Sequence, residues 1–273
     1  MVCPVTVCLK ILLQKFWSQD VGWDTPLDGD VRETFLQWQR GLEFLKEVHI
    51  PRWAFGNNNS RLSLHLFTDA SKDAYAAVVF SRVEMDQGVD LYLLEAKTRV
   101  APRDKSTIPR LELLAATVGA RLLHSILEIL EPDHQANIQV YCWTDSSTVL
   151  SWIQRQQQWA TFVWNRVQKI RRLTNSDDWR HVPEQLNPAD LPSRGCSHKQ
   201  LIDTQWWQGP SSLRQSPEYW LAEKYDVLEE EIAREWKKST MVKKRKATNK
   251  TLVNNTLSNV TSGGDLAVVD LLT

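Results

Sequence analysis

Two stretches of this chain read as β-strands that run straight into an aspartate: LSLHLFT at 62–68 before Asp69, and IQVYCWT at 138–144 before Asp145. Glu112 in PRLELLAA and Asp190 in NPADLPSRG complete a set of four acids in four separate settings. One carboxylate from each of four distant segments is how a fold converges oxygen ligands on hard divalent cations. Taken singly, each acid has a plainer use. An Asp after a strand caps a helix, and a Glu in a first helical turn answers the helix dipole.

The sequence between the acids sets the fold class. LSLHLFT alternates enough for a half-buried strand, and AYAAVVFSRV and LYLLEAKTRV around the turn-like MDQGVD extend it into an antiparallel meander. Ser106 or Thr107 then caps a helix with Pro109 in its first turn. Leu111, Leu114, Ala115, Val118, Leu122 and Ile126 form its apolar stripe, with Glu112 in the first turn and off the stripe's centre. IQVYCWT is a fourth strand, STVLSWIQRQ and FVWNRVQKIRRL are helical, DWRHV is a short fifth strand, and NPADLPSRG is a loop bearing the last acid. Three strands, a helix, a strand, two helices and a strand argue for an α/β fold: a mixed sheet with helices on its faces.

Composition places few limits on function. The chain has 273 residues, 42% of them hydrophobic, and no formal net charge, so local distribution must speak for a polyanionic partner. Residues 97–110 carry five basic residues against one acid, and 155–180 carry six against two, both beside the proposed acids. Residues 218–235 are acidic instead. Cys3, Cys8, Cys142 and Cys196 have no paired short spacing, which predicts reduced thiols in an intracellular protein. Lys10 interrupts the opening apolar run, which reads as packed structure and not as a signal peptide. Glu112, Arg121, His124 and Glu128 disqualify the apolar stretch 111–130 as a membrane span, and no membrane partner is expected.

With those residues in place, the chain resembles the ribonuclease H region of BEL/Pao-type LTR retrotransposon polyproteins. FTDAS, AKTRVAPRDKSTIPRLELLAA, WTDSSTVLSWI, the F-V-x-N-R-V-x-K-I pattern at 162–170 and WRHVPEQLNPADLPSRG look like that family's motifs in its order. PVTVCLKILLQKFW, the GWD at 22–24 and IPRW at 50–53 look like the segment that joins reverse transcriptase to ribonuclease H, and WWQGPSSL looks like the stretch on its C-terminal side. The resemblance implies a ribonuclease H-like sheet of five strands, three antiparallel and then two parallel. It divides the chain into a helical connection segment at 1–56, a ribonuclease H-like domain at 57–200, a helical extension at 201–236 and a basic then polar linker at 237–273, expected to be disordered.

By the same resemblance Asp69, Glu112, Asp145 and Asp190 would be the catalytic acids. They would hold two Mg²⁺ ions, with Mn²⁺ as a substitute, for hydrolysis of the RNA strand of an RNA/DNA hybrid. Ser71, Ser146 and Ser147 are candidates for phosphate or 2′-hydroxyl contacts, with capping as the equal alternative. Arg99, Arg103, Lys105 and Arg110 are candidates for the hybrid backbone, and Trp152, Trp159 and Trp164 for stacking or core packing. His181 is a candidate auxiliary acid or an ordinary packed histidine beside Trp179. No polymerase, protease or integrase motif occurs, so the chain reads as a piece of such a polyprotein, with its reverse transcriptase and integrase as ancestral partners, or as a gene derived from one. The run KKRK at 243–246 resembles a nuclear signal, compatible with a cytoplasmic or nuclear location. A non-catalytic nucleic-acid-binding or scaffold protein of the same fold is the alternative function. A DDE-type integrase or transposase is disfavoured, because the glutamate is the second acid and not the last.

Overall fold

The computed structural model describes residues 1–17, 22, 24–26, 29–50, 54–55, 60–103, 106–134, 138–204, 206–220 and 225–236. Lys105, the basic run at 243–246, the rest of the linker from 237 and most of the polar break at 56–60 lie outside the described residues.

Five strands form one sheet: β1 (Arg61–Ala70), β2 (Ala74–Met85), β3 (Gly88–Val100), β4 (Gln139–Thr144) and β5 (Trp179–His181), in the order β3-β2-β1-β4-β5. β1, β2 and β3 pair antiparallel, while β4 pairs parallel to β1 and β5 parallel to β4. This is the mixed sheet that the resemblance implies. The central strand departs from the sequence reading in one respect, because β1 is buried on both faces and not half-buried. Leu64 and Leu66 enter one apolar cluster and Phe67 the other. Helices cover both sides of the sheet, so no face of β1 is left for water and strict alternation has no work to do.

On one side lie α3 (Ile108–His134), α4 (Ser147–Gln154) and α5 (Thr161–Leu173). α3 packs across β1 and β2 and against α5, which buries more than the expected stripe; Leu113, Ala116, Ala120 and Leu123 are buried as well. Over Ile108–Leu130 this helix is long and apolar enough to cross a membrane by length and composition, and its apolar residues are spent on the sheet and α5. Gly119 explains how close it comes. A Cβ there would lie 2.8 Å from side-chain carbons of both Leu66 and Thr68 on β1.

On the other side α1 (Cys3–Trp17) packs on β3 and on α6 (Asp190–Arg194), with α2 (Gly29–Gly41), a 3₁₀ turn at Leu42–Glu47 and α7 (His198–Asp203) around it. Val5, Trp206, Leu213 and Trp220 share this second cluster. The segment NPADLPSRG is not a plain loop, because Asp190 begins the short helix α6. Gly195 ends that helix at φ +81°, where any Cβ would strike Cys8 Sγ at 2.7 Å. Among the described residues of the acidic stretch after Trp220 there is one short helix, α8 (Glu229–Arg234), seated on α4.

Candidate active site

The parallel pairing of β1 with β4 places Thr68 opposite Thr144, so the next residue of each strand, Asp69 and Asp145, emerges at the same end of the sheet. Thr68 Oγ1 donates to the Trp143 carbonyl at 3.2 Å and holds that register. Asn187 ties the sheet end to the entry of α6: its Nδ2 donates to the Thr68 carbonyl at 3.0 Å and its Oδ1 accepts from the Ala189 N–H at 3.1 Å. α6 then presents Asp190 to the cluster. Glu112 arrives from α3 one residue beyond the first turn, so the dipole reading of this acid weakens, and it lies two helical turns before Gly119 on the same face.

Asp69 is the hub of the four acids. Burial first, then the charge of Asp190, pushes the Asp69 carboxyl up, while hydrogen bonds from Ser193 and Asp145 pull it back. Burial, then the charges of Asp69 and Glu112, pushes Asp145 up to about 8. Glu112 is pushed up to about 7 by burial and by the charges of Asp69 and Glu231, against a hydrogen bond from Ser146. Each group is therefore short of positive charge and holds its proton more tightly than a solvated carboxyl would. Asp145 Oδ1 is a buried acceptor with no hydrogen-bond partner. Such an atom is costly to leave unpaired in a fold that pairs the large majority of its buried polar groups.

Two neighbouring groups engage the acids. Ser193, fully buried, donates its hydroxyl to the Asp69 carboxylate, and Arg194 donates Nε to Asp190 and another guanidinium nitrogen to Glu184 at 2.8 Å. Among the described residues no group of three or more His, Cys, Asp or Glu side chains is drawn together into a ready-made cation cage. The donor set nevertheless fits a divalent cation. It is all oxygen, it carries an orphaned acceptor, and the charges of Asp69, Glu112 and Asp145 oppose one another's ionisation.

The other sequence-predicted residues divide clearly. Ser146 is the N-cap of α4, accepting from the Val149 N–H at 3.2 Å, and its hydroxyl also serves Glu112. Ser147 is the first residue of that helix and is half-buried. Ser71 is spent on the turn between β1 and β2, accepting from the Asp73 and Ala74 N–H groups, and its hydroxyl lies 2.8 Å from the Ser193 carbonyl. Arg99 and Arg103 are exposed at the end of β3 and just beyond it, on the same sheet end as Asp69. Arg110 is paired with Glu235 at 2.6 Å and stands 5.0 Å above the Phe162 ring. His181 belongs to the site's edge: its Nε2 lies 3.1 Å from the Asp145 carbonyl and its ring stacks on Tyr225 with centroids 4.5 Å apart. Trp152 and Trp159 are buried core residues, and only Trp164 of the three is exposed. Sequence reasoning missed Asn187, Ser193 and Arg194. Their signal was spacing about Asp190: three residues before it, and three and four after it on the same turn.

Residues 1–146 match a family model described as the Pao retrotransposon-like RNaseH-like domain. Among solved structures the chain is similar to RNase H1 from Halobacterium salinarum NRC-1, with 16% identity over 52% of this chain and 98% of that one and a TM-score of 0.32. It is also similar to the N-terminal RNase H domain of rv2228c from Mycobacterium tuberculosis, with 12% identity, 53% and 98% coverage and a TM-score of 0.34. A third is LC11-RNase H1 in complex with an RNA/DNA hybrid, with 14% identity, 48% and 91% coverage and a TM-score of 0.32. No curated protein matches the chain.

Proposed function

This chain belongs to the Pao retrotransposon-like RNaseH-like domain family, and on that premise we propose that it hydrolyses the RNA strand of RNA/DNA hybrids in a reaction that depends on divalent cations. The observation that supports the reading is that the charges of Asp190, Asp145, Glu112 and Asp69, from four different elements, act on one another through Asp69, with a buried oxygen of Asp145 left unpaired.

Asp69, Glu112, Asp145 and Asp190 would hold two Mg²⁺ ions, or Mn²⁺ in their place. When bound, such ions supply Lewis acidity for in-line displacement at phosphorus. The chain's own residues do the positioning. Ser193 fixes one oxygen of Asp69, Ser146 orients Glu112, and Asn187 fixes the backbone from which Asp69 and Asp145 project. Burial holds protons on Asp145 and Glu112, and these would have to leave before either carboxylate could hold a cation. Arg194 holds Asp190 and Glu184 together at the edge of the cluster. Arg99 and Arg103, exposed on the same sheet end, track the hybrid's phosphates without reading sequence. The reverse transcriptase and integrase parts of a parent polyprotein are the neighbours this activity would serve.

A nucleic-acid-binding module without hydrolysis is the competing reading, favoured by the salt-bridged state of Asp190. A substrate panel separates the two. With Mg²⁺ the purified chain should nick the RNA strand of a labelled hybrid and leave duplex DNA and single-stranded DNA whole. Tight binding of the hybrid with no cut in either strand, in Mg²⁺ or Mn²⁺, would leave only the binding module.

A further inference from the structure

Residues 225–236 run along the rim of the acid cluster, and their contacts share one chemistry. The segment carries Asp226, Glu229, Glu230, Glu231 and Glu235 against a single base, Arg234. Glu229 takes both guanidinium nitrogens of Arg155, at 2.5 and 2.8 Å. Glu231 accepts from Thr148 Oγ1 at 2.7 Å, and Glu235 from Arg110 Nε at 2.6 Å. Tyr225 stacks on His181, Trp236 Nε1 donates to Gln157 at 3.1 Å, and the Glu235 carbonyl accepts from the Ala160 N–H at 2.6 Å. Ile232, fully buried, pegs the segment into the main core.

Two of these landing points, at Thr148 and His181, adjoin the candidate site. Thr148 is two residues after Ser146, whose hydroxyl serves Glu112. His181 lies against the Asp145 carbonyl. An acidic segment gains nothing from a seat beside four other carboxylates unless the donors there attract it, and Glu231 in fact adds its charge to the field at Glu112. The Arg155 fork, the Arg110 Nε and the Thr148 hydroxyl along this segment are donors of the kind a phosphodiester backbone takes, with carboxylates standing where phosphates would.

We propose that residues 225–236 are a built-in polyanion that occupies the phosphate-binding donors Arg110, Thr148 and Arg155, and that an RNA/DNA hybrid binds by displacing them. The proposal deepens the nuclease reading by giving the site a self-occupied closed state. Carboxylate–arginine pairs that face solvent, as Glu229 and Arg155 do, are weak, so phosphates can exchange for them, while the Ile232 peg keeps the segment tethered nearby. Glu235 is buried against Arg110, so that pair is the one the hybrid must work hardest to open.

The test uses the full chain, in EDTA so that no cutting intervenes, with a fluorescent RNA/DNA hybrid read by anisotropy. The variant Glu229→Gln, Glu231→Gln, Glu235→Gln keeps side-chain volume, Ile232 and Trp236, and so leaves the peg in place. At about 100 mM salt it should bind roughly tenfold tighter than the unaltered chain, and the gain should disappear when Arg110→Gln and Arg155→Gln are added. Equal or weaker binding overturns the proposal, and so does a gain of the same size in the chain that also carries Arg110→Gln and Arg155→Gln. A second measurement needs no variant. Saturating the unaltered chain with hybrid should speed hydrogen exchange across 225–236 and at the Ala160 amide; unchanged or slower exchange there overturns displacement. A chain that binds by displacement but never cuts sinks the nuclease reading alone, and one that cuts while 225–236 stay protected sinks this proposal alone.

Discussion

The Ser193 hydroxyl donates to the Asp69 carboxylate, joining α6 to the end of β1 across 124 residues of chain. The bond is supported from behind. Ser71 Oγ donates to the Ser193 carbonyl at 2.8 Å, and Thr98 Oγ1 to the Pro192 carbonyl at 3.2 Å, so the sheet grips the backbone of the helix that grips Asp69. One short helix thus supplies both an acid, Asp190, and the group that orients another. A helix of five residues has little stability of its own, and these contacts, with α1 behind it, are what hold it.

Ser193→Ala removes that donor without adding volume. The carboxylate of Asp69 loses its fixed rotamer, and kcat for hybrid cleavage falls about tenfold, the equivalent of about 1.4 kcal/mol, while KM changes little. Single-turnover rates against hybrid concentration check this. A matching rise in KM with kcat intact would show that Ser193 serves binding instead.

Asp145→Asn should abolish activity and stabilise the fold. The Asp145 carboxyl titrates near 8 in the folded chain, above its ordinary 3.8, because burial and the charges of Asp69 and Glu112 oppose ionisation. The folded state therefore binds its proton more tightly than the unfolded state, so this group costs stability progressively as pH rises from about 4 to 8. At pH 8 the Asn variant escapes a cost on the order of a few kcal/mol and melts higher than the unaltered chain. Mg²⁺ or Mn²⁺ should raise the melting temperature of the unaltered chain and have much less effect on the variant. Thermal melts at two pH values, with and without the ion, read all of these effects.

His65 produces a slope of the opposite sign. It is fully buried, with Trp143 Nε1 donating to its Nδ1 at 3.2 Å and Ser63 Oγ 3.1 Å from its Nε2, and burial first, then Arg82 and Arg180, lowers it from 6.5 to about 3. The stability it contributes is complete above about 6.5 and is lost as pH falls toward 3, because the unfolded chain takes up the proton first. The loss is on the order of 3–5 kcal/mol when complete. Denaturant melts should show the unaltered chain losing stability relative to His65→Phe as pH falls from 7 to 4. Parallel curves would place the charge response elsewhere.

Gly119→Val tests whether the approach of α3 sets the position of Glu112. The added side chain meets Leu66 and Thr68 where a Cβ already lies at 2.8 Å. Overpacking of this kind costs about 1–3 kcal/mol. Because Thr68 precedes Asp69, cleavage should fall further than the loss of folded protein explains. Activity per folded molecule, corrected by the melt, separates the two effects.

The sheet was legible because its strands are apolar runs cut by turn residues, and the four acids because two of them end such runs. Local periodicity could not show that β1 is covered on both faces, since that depends on α1 and residues 206–220 folding back over it. Nor could it show that NPADLPSRG contains a helix. α6 is too short to leave a period, and it exists because Thr98, Ser71 and α1 hold it in place. The serines separated for the same reason: Ser146 caps a helix as its place before STVL implies, whereas the work of Ser71 is fixed by a partner 122 residues away. The pairing of Arg110 with Glu235 joins a basic cluster and an acidic stretch that the sequence shows only as separate charge runs.

The most direct test of the four-acid site is cleavage of an end-labelled RNA/DNA hybrid by the purified chain in Mg²⁺, in EDTA, and in Mg²⁺ with Asp69→Asn. The account predicts cuts in the RNA strand alone in the first case, and none in the other two. Cutting that survives EDTA or Asp69→Asn, or a folded chain that never cuts in Mg²⁺ or Mn²⁺, would contradict it.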